Sequence, residues 1–253
     1  IYTSKAPGWG KQKPKQYGPL SAVRSAVFRN AERMGIDPKL ILGLWPLWEG
    51  VGEAHNISAY DNLDGTLRGS TVWANKGVHQ SDNTGMVEIG SPAIQEGPLT
   101  LFIYCDVTNT TETQQFMAKS SGWSQSGVDF LFFFHKTVGM VFWNYNYRSS
   151  SPLDIKMGAH LYAVTLYDHG SAPIFYRDMS NAVGDQNFNY RGDGNNLFGI
   201  GNAAHSNTEG FLGDIFIAGY IYQELTQDQI SLVAESPYAL LQPAPQPYIF
   251  DMA

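Results

Sequence analysis

Paired carboxylates are the first chemistry to look for in this chain, because glycosidases built on β-sheets work with two of them. An E-x-D-x-E pattern would place such a pair on one strand face, since side chains alternate along a strand. The chain has no such triplet. Its nearest pair, Glu49 and Glu53, is separated by two glycines in "WEGVGEA", which is typical of a turn. We therefore predict that the protein is not an enzyme.

Metal and nucleophile motifs are also missing from the sequence. There is no H-E-x-x-H, no G-x-S-x-G and no Walker loop. The six histidines are scattered without a ligand pair at metal spacing: His55, His79, His135, His160, His169 and His205. Cys105 is the only cysteine, so an intrachain disulfide is excluded. We expect no cofactor.

Two segments carry the residue types that hold sugars, which are aromatic faces and Asn or Asp side chains. They are "GDQNFNYRGDGNN" and "FWNYNYRSS", and the second places Trp143 and Arg148 among its tyrosines. An alternative interpretation is a turn-rich loop and a half-buried aromatic strand. The candidate sugar-binding residues are Asp185, Asn187, Asn189, Tyr190, Asp193 and Asn195 in the first segment, and Tyr145 and Tyr147 in the second.

Charge is distributed unevenly between the start of the chain and the rest. Residues 1–39 hold eight Lys or Arg against two Asp or Glu, which is a net charge of +6. The net charge of the whole chain is −7, so the remaining residues together carry −13. A basic leader ahead of an acidic body predicts docking on an acidic surface of its own body, a second copy or another protein. Nucleic acid is the weaker alternative, because the leader lacks dense Arg clustering.

The leader, residues 1–19, has three prolines, three glycines and no apolar period, which predicts an extended arm. Aromatic and basic side chains in such a segment favour anchoring to a partner. The candidate anchoring residues are Trp9, Lys11, Lys13, Lys15 and Tyr17. A short amphipathic helix follows from Leu20 to Gly35, and Asp37-Pro38 prevents its continuation.

From Leu40 onward, hydrophobic residues either alternate with polar ones or form continuous runs of strand length. Clusters of Gly, Asn, Asp and Ser separate these runs. This pattern predicts an all-β fold, a two-sheet sandwich or barrel. A T-x-x-Q capping box from Thr226 predicts a helix that Pro237 ends. No apolar run reaches the roughly 20 residues of a membrane span, so we expect no membrane contact. The predicted strands lie near 40–48, 65–68, 71–74, 86–90, 98–107, 115–119, 128–135, 138–146, 159–167, 173–176, 197–201 and 211–222.

Both ends of this β region resemble a known family. The first strand and turn read "LILGLWPLWEGVGEAHNISAYDNLDGTL", and the last strand and helix read F-x-G-x-I, then Leu-Thr, then a helix before a Pro. These residues look like concanavalin A-like lectin/glucanase domains of the laminin-G/pentraxin type, especially those of bacteriophage virion proteins. The resemblance covers residues 40–242 and implies an antiparallel jelly-roll sandwich.

The resemblance also implies expectations about metal and loops. Calcium-binding members carry an acid where this chain has Phe216, which argues against that site. Asp214 and Glu49 are the nearest acids that can meet at a sheet edge instead. "SAYDNLDGTL" resembles the Asp box of sialidases, but it occurs once and without an Arg triad. We interpret it as a loop whose Asp side chains bond their own backbone.

These observations together predict a structural virion protein on the surface of a phage particle. Its partners would be capsid or tail proteins of that particle and surface glycans, and the chain would belong to a multi-copy assembly. The alternatives are an extracellular glycan-binding module and a degenerate glycosidase. The predicted organisation is an arm and helix at 1–39, a jelly-roll domain at 40–242 and a Pro-rich tail at 243–253.

Overall fold

The fold is taken from a computed structural model of the chain. It describes residues 20–50, 52–58, 60, 63–74, 77–92, 97–121, 128–144, 147–168, 170–187, 196–203 and 209–241. The predicted arm at 1–19 and tail at 243–253 lie outside these ranges, so the division into three regions stays a prediction.

Fifteen strands and two α-helices make up the described structure. Helix α1 is Leu20–Arg33 and helix α2 is Gln227–Glu235. The strands are β1 Ile41–Trp45, β2 Gly65–Arg68, β3 Thr71–Ala74, β4 Gly77–Gln80, β5 Met86–Ile89, β6 Leu99–Val107, β7 Gln114–Ser120, β8 Val128–His135, β9 Gly139–Asn144, β10 Tyr147–Ser151, β11 Gly158–Leu166, β12 Ile174–Arg177, β13 Ser180–Val183, β14 Phe198–Ile200 and β15 Gly213–Ile221. Short 3-10 helices span Pro38–Leu40 and Ala239–Leu241.

The strands form two antiparallel sheets, which confirms the predicted all-β sandwich. The eight-stranded sheet has the order β13-β12-β11-β6-β15-β4-β3, and β1 also pairs with β15. The seven-stranded sheet has the order β10-β9-β8-β7-β14-β5-β2. Strands distant in sequence are neighbours in both sheets, because β14 inserts between β7 and β5 and β15 pairs with β6.

A large aromatic core fills the space between the sheets. Trp45 and Phe130 lie 5.5 and 5.9 Å from Phe198, measured between ring centroids, and all three are buried. Phe116 stacks on Tyr162 of the opposite sheet at 4.9 Å. Aromatic rings bury large areas and pack in offset or tilted pairs, so they hold the two layers together.

Helices cover the outer face of the eight-stranded sheet. A second buried cluster joins Val27 of α1 and Ile230 of α2 to Phe102 and Ile217 of the sheet. The Asn30 side chain donates to two backbone carbonyl oxygens of the C-terminal 3-10 helix, at 3.0 and 3.2 Å. The packed part of this face is therefore closed to a large ligand.

The predicted start of α2 is confirmed in detail. The Gln229 backbone N–H donates to the Thr226 hydroxyl at 3.3 Å, and the Thr226 N–H donates to the Gln229 side chain at 2.9 Å. Both bonds satisfy amides that a helix leaves free at its first turn. No helix in the described ranges is long and apolar enough to cross a membrane.

Three strands were not predicted from the sequence: β4, β10 and β13. Each has only four or five residues, and β10 and β13 are the outermost strands of their sheets. Edge strands bury one side only and often contain polar residues, so their local pattern resembles that of a loop. The sequence "SNAV" of β13 is mostly exposed, as this explanation requires.

Candidate functional site

Several connections leave the seven-stranded sheet at one end, which we call the loop end. There β7 ends at Ser120 opposite Val128 of β8, β9 ends at Asn144 opposite Tyr147 of β10, and β14 begins at Phe198 beside Lys119. The two strands that flank the second predicted sugar-binding segment, and the strand that follows the first, therefore meet at this end.

Only part of the predicted sugar-binding set lies in the described structure. Asp185 and Asn187 are placed and exposed, and Tyr147 is placed as a backbone position of β10. The others, Tyr145, Asn189, Tyr190, Asp193 and Asn195, lie outside the described residues, as do Trp9, Lys11, Lys13, Lys15 and Tyr17. Sugar binding by these residues and anchoring by the arm stay predictions.

Asp185 fastens the edge strand β10 to the chain that leaves β13. Its Oδ1 accepts from the Ser150 backbone N–H at 2.6 Å, and its Oδ2 accepts from the Ser150 hydroxyl at 2.7 Å. Partial desolvation opposes ionisation, but these bonds and one from Ser149 lower the pKa of Asp185 below its usual value. Both oxygens of this carboxylate are engaged in holding the edge.

Trp143 and Arg148 lie directly opposite each other on β9 and β10. Directly paired residues share a sheet face, and Trp143 is also opposite Leu131, whose side chain belongs to the outer cluster of this sheet. Trp143 is half-buried and Arg148 is exposed. The hairpin therefore presents an indole and a guanidinium side by side at the outer edge of the sheet, toward the loop end.

A buried ion pair lies beneath the loop end. Lys119 Nζ is 2.7 Å from Asp129 Oδ2, and the two side chains are 1% and 8% exposed. Lys119 pairs with Phe130 and Phe198, which face the core, so its stem is on the inner side of the sheet. The sequence "MAKSS" did not indicate this pair, because a lysine in a strand normally points to solvent.

A second polar cluster lies before β2 and joins Glu49, His55 and Asp64. Glu49 Oε1 accepts from the His55 backbone N–H at 3.2 Å, and Asp64 Oδ2 lies 2.9 Å from His55 Nδ1. Asp64 Oδ1 accepts from the Asn56 N–H at 2.7 Å, eight residues away, and not from the backbone of its own loop as predicted. Glu49 Oε2 is buried and makes no hydrogen bond with any residue that the structure describes.

Burial raises the pKa of Glu49 above its usual value. Hydrogen bonds from the backbone of Glu49, His55 and Trp48 and the charge of His55 act in the opposite direction without cancelling the desolvation. A carboxyl group with a raised pKa keeps its proton to a higher pH than an exposed one, so it is available there as a general acid. The sequence alone did not indicate it, since burial depends on the fold.

The segment that carries this cluster is fixed by a buried asparagine. Asn56 Oδ1 accepts from the Leu44 N–H of β1 at 3.0 Å, and Asn56 Nδ2 donates to the Ser58 hydroxyl at 2.9 Å. Gly50 and Gly52 have φ of 79° and 75°, a left-handed conformation that bends the chain between Glu49 and His55. The turn predicted from "WEGVGEA" is thereby confirmed.

The Trp143–Arg148 pair and the Glu49 cluster lie at opposite edges of the seven-stranded sheet. β10 is the first strand of its order and β2, which follows Asp64, is the last. Six inter-strand spacings of about 4.8 Å separate these edges by roughly 29 Å along the sheet. The two clusters therefore form separate sites.

The alternative calcium ligands are not brought together. Asp214 Oδ1 lies 2.7 Å from His79 Nδ1, whereas Glu49 bonds the backbone of His55. Phe216 is buried under the helices and packs against Tyr104 at 5.4 Å. Within the described ranges, no three His, Cys, Asp or Glu side chains are arranged to hold a metal ion.

Comparison with known proteins bears on the fold. No protein-family model matches the sequence, and no curated protein matches it. Trypanosoma rangeli sialidase, as its covalent intermediate with 2,3-difluorosialic acid, matches with a TM-score of 0.63 at 9% identity, over 87% of this chain and 39% of the sialidase. A mutant of that sialidase that displays trans-sialidase activity matches with a TM-score of 0.62 at 11% identity, over 88% and 39%.

A single domain of another enzyme matches almost entirely. Domain 4 of AbnA, a GH43 extracellular arabinanase from Geobacillus stearothermophilus, in complex with arabinotriose, has a TM-score of 0.58 at 14% identity, over 77% of this chain and 98% of that domain. The chain thus spans about two-fifths of the sialidases but nearly all of this domain. At such identities the similarity establishes the fold alone.

The prediction that the protein is not an enzyme is contradicted, because its fold also occurs in enzymes. The matched structures are a sialidase, a sialidase mutant and a domain of an arabinanase. The missing E-x-D-x-E triplet excluded carboxylates on one strand, but it did not exclude carboxylates supplied by separate parts of the fold. These comparisons show neither a phage protein nor the concanavalin A-like family. The chain therefore has a two-sheet β fold that also occurs within carbohydrate-active enzymes.

Proposed function

We propose that this chain is a carbohydrate-binding β-sandwich domain. The observation that carries the proposal is the match to an arabinanase domain in complex with arabinotriose, which extends over 98% of that domain. Similarity along a whole domain supports a self-contained module of the same kind. The matched sialidase structure in complex with 2,3-difluorosialic acid supports the same class of ligand.

The position of the binding surface follows from which faces are available. Helices α1 and α2 close the outer face of the eight-stranded sheet, and the core fills the inner faces. We place the surface on the β9–β10 hairpin at the edge of the seven-stranded sheet, where Trp143 is half-buried and Arg148 is exposed. An aromatic face beside a polar group is the combination that saccharides require, because their rings have apolar C–H faces and polar rims.

The test is binding of the purified protein to a glycan array. We expect at least one class of oligosaccharide to bind, and we expect Trp143→Ala to weaken that binding about tenfold through loss of the stacking surface. Tyr167→Ala is the matched control, because Tyr167 is 66% exposed and lies at the end of β11 in the other sheet. Absence of signal for every glycan, with folded protein, would exclude the proposal.

Glycoside hydrolysis at the Glu49 cluster is a second candidate function. The specific observation is a buried carboxyl with a raised pKa, Glu49, near a second carboxylate, Asp64, with His55 between them. A buried carboxyl group with a raised pKa beside a second carboxyl group is a pair of the kind that glycoside cleavage uses. The test is release of reducing sugar from a panel of oligosaccharides. Glu49→Gln must abolish this release, and the exposed Glu53→Gln must leave it unchanged.

The residence of this module on a phage particle is part of the proposal and is supported by the sequence resemblance alone. Residues 1–19 would attach it to capsid or tail proteins in a multi-copy assembly, and an extracellular module is the alternative. Deletion of residues 1–19 should leave a folded domain that no longer joins particles. Full incorporation of the truncated protein would exclude attachment by the leader.

A further inference from the structure

We propose that the saccharide bound at the edge of the seven-stranded sheet carries a carboxylate, which pairs with Arg148 while the sugar ring lies against Trp143. This inference rests on the proposed function and names the ligand class of that site. The juxtaposition of the two side chains across β9 and β10 is the observation from which it starts.

Arg148 is an exposed cation to which the described part of the chain supplies no partner. Among the described residues it makes no hydrogen bond and no ion pair. The chain outside residues 1–39 carries a net charge of −13, so an unpaired arginine there is conspicuous. A planar guanidinium has five N–H donors and binds a carboxylate through two parallel hydrogen bonds.

The nearest acid on the same edge does not neutralise Arg148. Asp185 contacts Ser150, two positions along β10, where a side chain lies on the same face as Arg148. Both Asp185 oxygens accept from Ser150, at 2.6 and 2.7 Å, and no ion pair joins Asp185 to Arg148 in the described structure. The guanidinium therefore remains available to an external carboxylate.

Trp143 supplies the second contact and fixes where the sugar lies. It packs by one side against the outer cluster that includes Leu131 and Val141, and part of it stays exposed. Because Trp143 lies directly opposite Arg148, their Cβ atoms are about 5 Å apart and the two side chains leave the sheet side by side. A single uronic or sialic acid residue spans such a distance, with its ring on one group and its carboxylate on the other.

The exposure of Arg148 makes this arrangement accessible from the outer face of the sheet. The edge of β10 itself is bonded to Asp185 at Ser150. Arg68 offers a useful contrast at the other edge of the same sheet. It is 55% exposed on β2, but it is bonded to Glu88 Oε1 at 3.1 Å and is therefore already paired.

The experiment compares ligands that differ only in charge. Sialyllactose with lactose, and oligogalacturonate with its methyl ester, are titrated into the full-length protein and the variants Arg148→Gln, Arg148→Lys, Trp143→Ala and Arg68→Gln. We expect a carboxylated member to bind at least about tenfold more tightly than its neutral counterpart, a preference that Arg148→Gln removes. Arg148→Lys should retain part of the preference, because a lysine keeps the charge without the two-donor geometry.

The remaining outcomes separate this inference from the function on which it rests. Arg68→Gln should leave all affinities unchanged, and added salt should weaken only the carboxylated ligands. Equal binding of acid and neutral forms, or insensitivity to Arg148→Gln, overturns the anionic ligand while leaving carbohydrate binding intact. If other array glycans bind but sialyllactose, lactose, oligogalacturonate and its methyl ester do not, the anionic ligand is likewise overturned and carbohydrate binding stays intact. Failure of every glycan to bind overturns both.

Discussion

Lys119 Nζ lies 2.7 Å from Asp129 Oδ2 beneath the loop end of the seven-stranded sheet, with both side chains almost fully buried. Transfer of two charges from water into a protein interior is unfavourable, and their mutual attraction offsets it only when the geometry is good. The pair sits where β7 and β8 terminate, and a register irregularity between Lys119 and Ser120 adjusts the pairing there. We expect the pair to help fix the register between the end of β7 and the start of β8.

The first prediction concerns this ion pair. Lys119→Met or Asp129→Asn alone should lower the free energy of unfolding by about 3–5 kcal/mol. Each substitution removes the opposite charge from a buried ionic side chain. The double variant Lys119→Met, Asp129→Leu should recover most of that loss. Urea denaturation followed by intrinsic fluorescence measures all three. Single variants within about 1 kcal/mol of the wild type would show that the pair is solvated.

The second prediction concerns Glu49 and pH. Its pKa is raised from 4.5 in the folded state, so folding favours the protonated carboxyl. The corresponding stability is complete below the unfolded-state pKa and is lost as pH rises through the folded-state value. Glu49→Gln should therefore gain stability relative to the wild type between about pH 4 and pH 7. Melting temperatures at these two pH values test this, with the exposed Glu53→Gln as control. A difference between wild type and Glu49→Gln that is independent of pH would contradict it.

The third prediction concerns Asp185, whose pKa is shifted in the opposite direction. A folded-state pKa below 3.8 means that the carboxylate stabilises the fold above the unfolded-state pKa and ceases to do so as pH falls through the folded-state value. Asp185→Asn should cost about 1 kcal/mol at neutral pH, because two hydrogen bonds to Ser150 weaken. Asp154→Asn, on an exposed acid, is the control. Equal melting of Asp185→Asn and the wild type at pH 7 would show that these bonds add nothing to stability.

The fourth prediction concerns Gly201, which follows β14. Its φ is +83°, and a Cβ there would lie 2.4–2.8 Å from the amide group of buried Gln80. Gly201→Ala should destabilise the protein by about 2–4 kcal/mol through backbone strain and this overlap. A Cβ at Gly90 would meet no heavy atom within 4 Å, so Gly90→Ala serves as the control. A melting temperature of Gly201→Ala close to that of Gly90→Ala would mean that Gln80 moves aside.

Local patterns in the sequence determined most of the elements of this fold. The period-two runs identified the long strands, and the capping box at Thr226 located α2 to the residue, because both signals depend on neighbours within a few positions. The turn between Glu49 and His55 was also visible, since only glycine adopts left-handed backbone without strain. The short strands β10 and β13 were missed because an exposed edge leaves little apolar pattern.

Only the tertiary structure decided which side chains share a site. Trp143 and Arg148 become neighbours through the register of one hairpin, and Lys119 meets Asp129 through the pairing of β7 with β8. The raised pKa of Glu49 follows from burial, which no local pattern encodes. Strand pairing and burial arise from contacts between distant parts of the chain. Residue type and spacing therefore determined what could form, and long-range packing decided which groups meet and how they are charged.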